Sequence, residues 1–268
     1  MSKNLAKKLI IYLFAFVIIF PILTLFVWIF TERYVWPDVF PKHLSLRAFN
    51  SIVIKSDDLS KTFAVSILIS TVVSLISVTI AVLSARAMCF FEFKGKAFMS
   101  FVMLAPFLVP TTVFGMGVQI LLLRMGLGGT LSGVILCHTI YSLPYANKLL
   151  EEGTKALGKG LEEQARVLGA RPLLAFFGIT LPNLLPTVLS AFTMSYIISI
   201  SQYFLTLIIG GGNIKTFSVV MVPYMQSGER NFASIYAVIF LGITVIVFFI
   251  FEALAKAVSK GNKVEYFN

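Results

Sequence analysis

Residues Glu162 to Pro182 read EEQARVLGARPLLAFFGITLP, and this polar interval between two long apolar runs decides how the rest of the chain is read. A helix running to Leu168 stops sharply at Gly169, because glycine enters positive-φ conformations without a Cβ clash. Pro172 then suits the first turn of a second short helix, where its missing N–H leaves nothing unpaired. Ile179, Leu181 and Pro182 close the segment before the next apolar run begins at Leu184. The spacing predicts a helix-turn-helix knuckle lying across a membrane face. Small Ala165 and apolar Leu168, beside the bend, leave room for a partner to approach, while Arg166 and Arg171 stay solvated.

The surroundings of this knuckle are lipid. Hydrophobic residues make up 58% of the 268 and charged residues 13%, with a mean hydropathy of +0.92, against roughly 45–50% apolar in soluble domains. Six apolar stretches, near 10–30, 63–85, 98–123, 131–149, 184–209 and 233–255, are long enough to cross about 30 Å of hydrocarbon at about 1.5 Å per residue. The predicted class is an all-α polytopic membrane protein with six transmembrane helices. The first stretch is too long, and lacks the small-residue cleavage site, for a removable signal peptide. The predicted organisation is an N-terminal helix and outer loop over 1–62, a five-helix core over 63–257 with a cytoplasmic loop at 150–182, and a cytoplasmic tail over 258–268.

The net charge of +10 speaks of orientation rather than of nucleic acid. With the N-terminus inside, the inner segments hold fourteen of the 22 Lys and Arg and the outer loops eight, as the positive-inside tendency favours. Both termini and the Glu163 loop are then cytoplasmic. Pro106 and Pro110 in the third stretch and Pro144 in the fourth each remove a backbone donor and permit a kink. Gly129 and Gly133 form a small-xxx-small pair suited to close helix contact. After Gly210, Gly211, Gly212 and Asn213, the piece from Phe217 to Met225 is too short to cross and fits a hairpin dipping into the outer opening.

No charged residue lies deep in any predicted span, whereas ion-coupled carriers need ionisable groups at mid-membrane. His138 stands beside Cys137, but adjacent helix residues point about 100° apart and chelate poorly. The reading is a histidine hydrogen-bonded to a neighbouring helix, with no metal site, and Cys89 and Cys137 as packing residues. Gln119 and the run Ser199, Ser201, Gln202 and Tyr203 are the candidates for a translocation path, since uncharged hydrogen-bonding groups line a wet route at small insertion cost. The same residues equally fit interhelical hydrogen bonds. Gly210 to Thr216 lacks the Gly-Lys-Ser/Thr ending of a nucleotide loop. No dinucleotide fingerprint, zinc helix or exposed Ser, His and acid set is present, so the reading is a transport protein, not an enzyme.

The order Glu163-Gln164-Ala165, Gly169 four residues on, then Ile179-x-Leu181-Pro182 resembles the EAA loop of ABC importer permeases, with Gln164 standing for an alanine. The resemblance runs roughly from Phe63 to Phe251. It implies a type I importer permease with a MetI-like core in the bacterial inner membrane, and a loop that docks on an ATPase. In that role Glu163 would orient the docking helix, Gly169 permit its bend, and Ala165 and Leu168 fill the contact, with Ile179, Leu181 and Pro182 closing the motif. It further implies two ATPase subunits, a second permease, identical or related, an external solute-binding protein and surrounding lipid, with no nucleic acid and no cofactor. ATP would be hydrolysed on the separate subunits. Phe93-Lys94-Gly95-Lys96, Pro106 and the glycine-rich outer loop look most like the group serving polyamines, iron, thiamine and phosphonates. The alternative expectation is an ion-gradient-driven carrier or a channel.

Overall fold

The computed structural model describes residues 2–32, 43–54 and 57–264. Those residues are almost wholly helical, in the order α1 (Ser2–Ile29), α2 (Arg47–Phe49) with a π turn at Asn50–Ile54, α3 (Asp57–Phe90), α4 (Lys96–Leu108), α5 (Thr111–Arg124), α6 (Leu131–Leu157), α7 (Gly160–Val167), α8 (Pro172–Ala175) with a π turn at Phe176–Thr180, α9 (Leu181–Ile200), α10 (Phe204–Gly210), α11 (Phe217–Gln226) and α12 (Arg230–Val264). Among them the only strand-like pairing is a single antiparallel bridge between Thr31 and Leu44. The all-α, polytopic membrane class is the observed one. The chain divides into two compact units, one of 1–62 with 220–243 and one of 63–219 with 244–268.

In the first unit, the apolar length of α1 is left almost wholly uncovered. Leu9, Phe14 and Ile18 are exposed, as a helix solvated by lipid requires. The unit is fastened at its polar end, where the Asn231 side-chain amide donates to the carbonyls of Thr31 (3.4 Å) and Glu32 (3.1 Å). Close by, the Arg230 guanidinium lies 5.2 Å over the Trp28 ring, and Tyr224 stacks nearly parallel to Phe232 and Tyr236 at 5.4 and 5.3 Å.

The second unit is built around α6. Ile69, Val73, Leu122, Val134, Cys137, Leu205 and Ile209 form its buried cluster, drawn from α3, α5, α6 and α10. Helix α9 lies along α6 so closely that a Cβ on Gly153 would sit 2.7 Å from the Thr187 methyl. Helix α3 turns a buried row of hydroxyls, Ser66, Ser70, Ser74 and Ser77, inward, and Ser77 meets Ser142 of α6 at 2.8 Å. Such groups bond across helices without the cost of a buried charge.

Several predicted spans differ in extent. By length and composition four helices among the described residues are fit to cross a membrane, or five if α4 and α5 are one span. The third stretch is not one straight helix: α4 and α5 meet at 111° across extended Val109 and Pro110, and the Pro110 carbonyl starts the second helix by accepting from Phe114 N–H at 3.0 Å. The fourth stretch extends to Leu157 and is too polar to join that apolar set, with His138, Thr139, Ser142 and Asn147 buried on it. A helix enclosed by other helices has no need of an apolar surface all round, which is why hydropathy alone describes α6 poorly. Pro144 lies within α6 without ending it. The fifth stretch breaks at Ser201–Tyr203 into α9 and α10. At its other end it starts early, since the helical run from Pro172 continues through a π turn to Ile200. Pro182 has no N–H to offer the Gly178 carbonyl, and the wider turn at 176–180 absorbs that defect.

Candidate functional site

Helix α7 ends as the sequence requires. Gly169 N–H donates to the Arg166 carbonyl (3.0 Å) and Ala170 N–H to the Ala165 carbonyl (3.0 Å), the paired bonds of a Schellman cap. Gly169 has φ +92°, and a Cβ there would meet nothing within 4 Å. The constraint is therefore conformational, not steric crowding. Arg171 is extended and Pro172 opens α8 at its first turn. At the far end of the segment the Asn183 amide donates to the Ile179 carbonyl at 2.8 Å, and Pro182 lies in the first turn of α9.

The exposed side of this knuckle carries large apolar side chains beside polar ones. Val167 is 87% exposed and Leu168 88%, and Leu173, Leu174 and Phe177 are exposed with them. Glu163 and Gln164 point outward as well, Ala165 is half-buried, and Ile179, Leu181 and Pro182 are half-buried beneath. The residue that α7 buries is acidic. Glu162, 8% exposed, takes both Arg86 guanidinium nitrogens in a fork, Nη1 to Oε2 at 2.6 Å and Nη2 to Oε1 at 2.5 Å. The Thr180 hydroxyl donates to Oε2 at 2.8 Å. The Arg86 guanidinium also lies 5.2 Å over the Phe176 ring. These hydrogen bonds, the fork from Arg86 first, hold the Glu162 carboxyl below its ordinary range against the opposing cost of burial. Nearby Lys159 donates to the Phe90 carbonyl at 2.9 Å, tying the start of α7 to the end of α3.

Sequence reasoning passed over Glu162, because the motif begins at Glu163. A usable signal was present: Glu162 and half-buried Ala165 are three apart and share a helix face, and Arg86 is the one basic residue near the inner end of its span.

The path candidates are scattered among packing roles and exposure. Gln119 Nε2 donates to the Ile208 carbonyl at 3.2 Å, joining α5 to α10. Ser199 is buried and meets His138 Nδ1 at 3.0 Å, while Thr206 Oγ1 meets His138 Nε2 at 3.0 Å. Thr206 also donates to the Gln202 carbonyl at 2.7 Å. Its single proton being used there, we assign the Nε2–H tautomer, in which His138 donates to Thr206 and accepts from Ser199. His138 thus bridges α6, α9 and α10. The exposed Ser201 hydroxyl donates to the Ile198 carbonyl at 3.0 Å, and Gln202 and Tyr203 are half-buried in the break after α9. The Phe217 N–H at the start of α11 donates to Ser66 of α3 at 2.8 Å. Among the described residues no three His, Cys, Asp or Glu side chains come together as a metal site would need.

A family model described as the binding-protein-dependent transport system inner membrane component matches residues 77–260, from within α3 to within α12. The chain belongs to this family. Among relatives of this inner membrane component, the putrescine transport system permease protein PotI of Escherichia coli is 26% identical over 60% of this chain and 59% of its own length. The chain therefore matches less than two thirds of that relative. The molybdate/tungstate transport system permease protein WtpB of Pyrococcus abyssi is 28% identical over 70% of this chain and 75% of its own. In solved structures the same fold appears in a bacterial alginate ABC transporter in complex with a periplasmic protein, with a TM-score of 0.74 at 13% identity over 97% of this chain and 96% of that one. It appears also in the MetNI methionine ABC transporter, with a TM-score of 0.60 at 15% identity over 76% of this chain and 99% of that one.

Proposed function

We propose that this inner membrane component is one conducting subunit of an ATP-driven importer, and that the knuckle from Glu162 to Pro182 is where an ATPase subunit docks. The observation that carries the reading is the exposed apolar group Val167, Leu168, Leu173, Leu174 and Phe177 on a loop flanked by Arg166 and Arg171. Apolar side chains turned to water on a capped, polar segment are the signature of a partner surface. In this reading Leu168 fills the contact, Gly169 sets the bend, and exposed Glu163 and Gln164 lie on the rim. Half-buried Ala165, Ile179, Leu181 and Pro182 support the contact from beneath.

Closure of two ATPases would press on the knuckle and tilt the core helices, so that a cavity shared with a second permease, identical or related, opens alternately to each side. Helix α4, which buries no residue within the chain, suits lipid or that second permease. An external binding protein would deliver the solute, and both termini would be cytoplasmic. Gln119, Ser199, Ser201, Gln202 and Tyr203 would flank the route, Ser201 most openly. The solute is read as small and polar, of the polyamine, thiamine, phosphonate or iron-complex classes. Uncharged Ser201 and Gln202 offer no carboxylate there, which weighs against a polycation. A further recess of about 460 Å³ is walled by apolar Ile80, Met88, Phe93, Met103 and Leu143 and suits hydrocarbon instead.

The test is co-purification in gentle detergent. Wild type is expected to retain an ATPase and a second permease, and Gly169→Asp to lose the ATPase while still reaching the membrane. Equal retention by both would overturn the docking role.

A further inference from the structure

Helix α7 is flanked by two glycines at positive φ, Gly158 at +69° and Gly169 at +92°, each with open space where a Cβ would go. A short eight-residue helix between two such turns conveys a push through what clamps it to the core. The strongest clamp in view is Glu162. Its carboxylate is the meeting point of three elements: α7, which carries it; the inner end of α3, through the Arg86 fork; and the π turn leading into α9, through Thr180. Phe176 from the same π turn covers the guanidinium, as Phe90 of α3 does at 5.9 Å.

Resting on the docking role argued above, we propose that Arg86, Glu162 and Thr180 are the linkage that carries ATPase movement from α7 into α3 and α9, a positioning role separate from the exposed residues that hold the ATPase. Geometry favours transmission over attachment. The carboxylate is turned away from the docking face, and a forked Arg–carboxylate pair fixes orientation as well as distance. A lysine at position 86 would keep the charge and lose the fork. The pair also gives the buried Glu162 carboxylate its partner beneath a knuckle that exposes Val167, Leu168 and Leu173.

The experiment uses the full complex in nanodiscs with ATP and orthovanadate as the probe, reading hydrogen exchange in residues 160–167 and 80–92. In wild type, trapping is expected to change exchange in both segments. In Glu162→Gln the α7 response should persist with the ATPase bound, while the response in residues 80–92 shrinks at least fivefold. Arg86→Lys should act in the same direction, more weakly, and the reversed pair Arg86→Glu with Glu162→Arg should recover most of the response. Restoration by the reversed pair separates the linkage from general damage, and is also the check should a single variant insert poorly. An undiminished response in residues 80–92 of Glu162→Gln would overturn the linkage and leave the docking role standing. Loss of the ATPase from Glu162→Gln would overturn it as well, because the pair would then serve attachment. A wild-type complex that holds no ATPase would instead sink the docking role itself.

Discussion

Gly169 and Glu162 act through opposite kinds of constraint. Gly169 is held by backbone conformation alone, so Gly169→Ala meets no neighbour and costs only the left-handed strain, about 1–2 kcal/mol. The expected result is normal membrane insertion with increased exchange at residues 168–171 and weaker ATPase retention. Unchanged exchange would show that the cap at φ +92° is not what orders the bend. Glu162 is held by charge-assisted bonds, and Glu162→Ala, which strands the Arg86 guanidinium, should cost about 1–3 kcal/mol. Its carboxyl titrates below the ordinary glutamate value in the folded chain because of the Arg86 fork, with Thr180 and the Arg166 charge in support. A depressed folded value means that the contribution is fully present above about pH 4.3, the ordinary value, and is lost as pH falls through the lower folded one. Exchange of residues 160–167, corrected for its intrinsic pH dependence, should stay flat from pH 8 to about 5 and rise only on stronger acidification. A rise starting near neutrality would contradict the assignment.

At the scale of elements, the contact between α6 and α9 rests on Gly153, where a Cβ would lie 2.7 Å from both the methyl and the hydroxyl of Thr187. Gly153→Val should force the two helices apart at about 1–3 kcal/mol and lower the thermal midpoint in detergent. Gly178→Ala, with nothing within 4 Å, should leave the midpoint unchanged, and equal shifts in both would refute the packing account. How far these elements were legible follows the same physics. The bend at Gly169 and the start at Pro172 were readable because glycine and proline act locally. The break between α4 and α5 was half-readable: Pro106 and Pro110 signal a defect, but the 111° bend depends on how the flanking helices pack. Helix α6 was hardest, since several of its buried polar side chains find partners far away in sequence, as Ser142 does in Ser77 and Asn147 in Ser84. Glu162 likewise has a distant partner, Arg86 lying 76 residues earlier.

In the molecule as a whole, the surface proposed to bind the ATPase is separate from the linkage proposed to move. Leu168→Ser and Leu173→Ser, both on the exposed face, should leave the fold and the Arg86–Glu162 fork intact. Each should weaken ATPase retention about tenfold, equivalent to about 1.4 kcal/mol. Helix content and thermal midpoint equal to wild type, with retention reduced, is the expected pair of readings. Docking at the knuckle is tested by placing the photo-crosslinker p-benzoylphenylalanine at Leu168, 88% exposed, and separately at Leu83, 61% exposed on α3, in native membranes. The account predicts a covalent adduct with an ATPase subunit from position 168 and only lipid adducts from position 83; an ATPase adduct absent from position 168, in membranes where the chain is normally inserted, would contradict it.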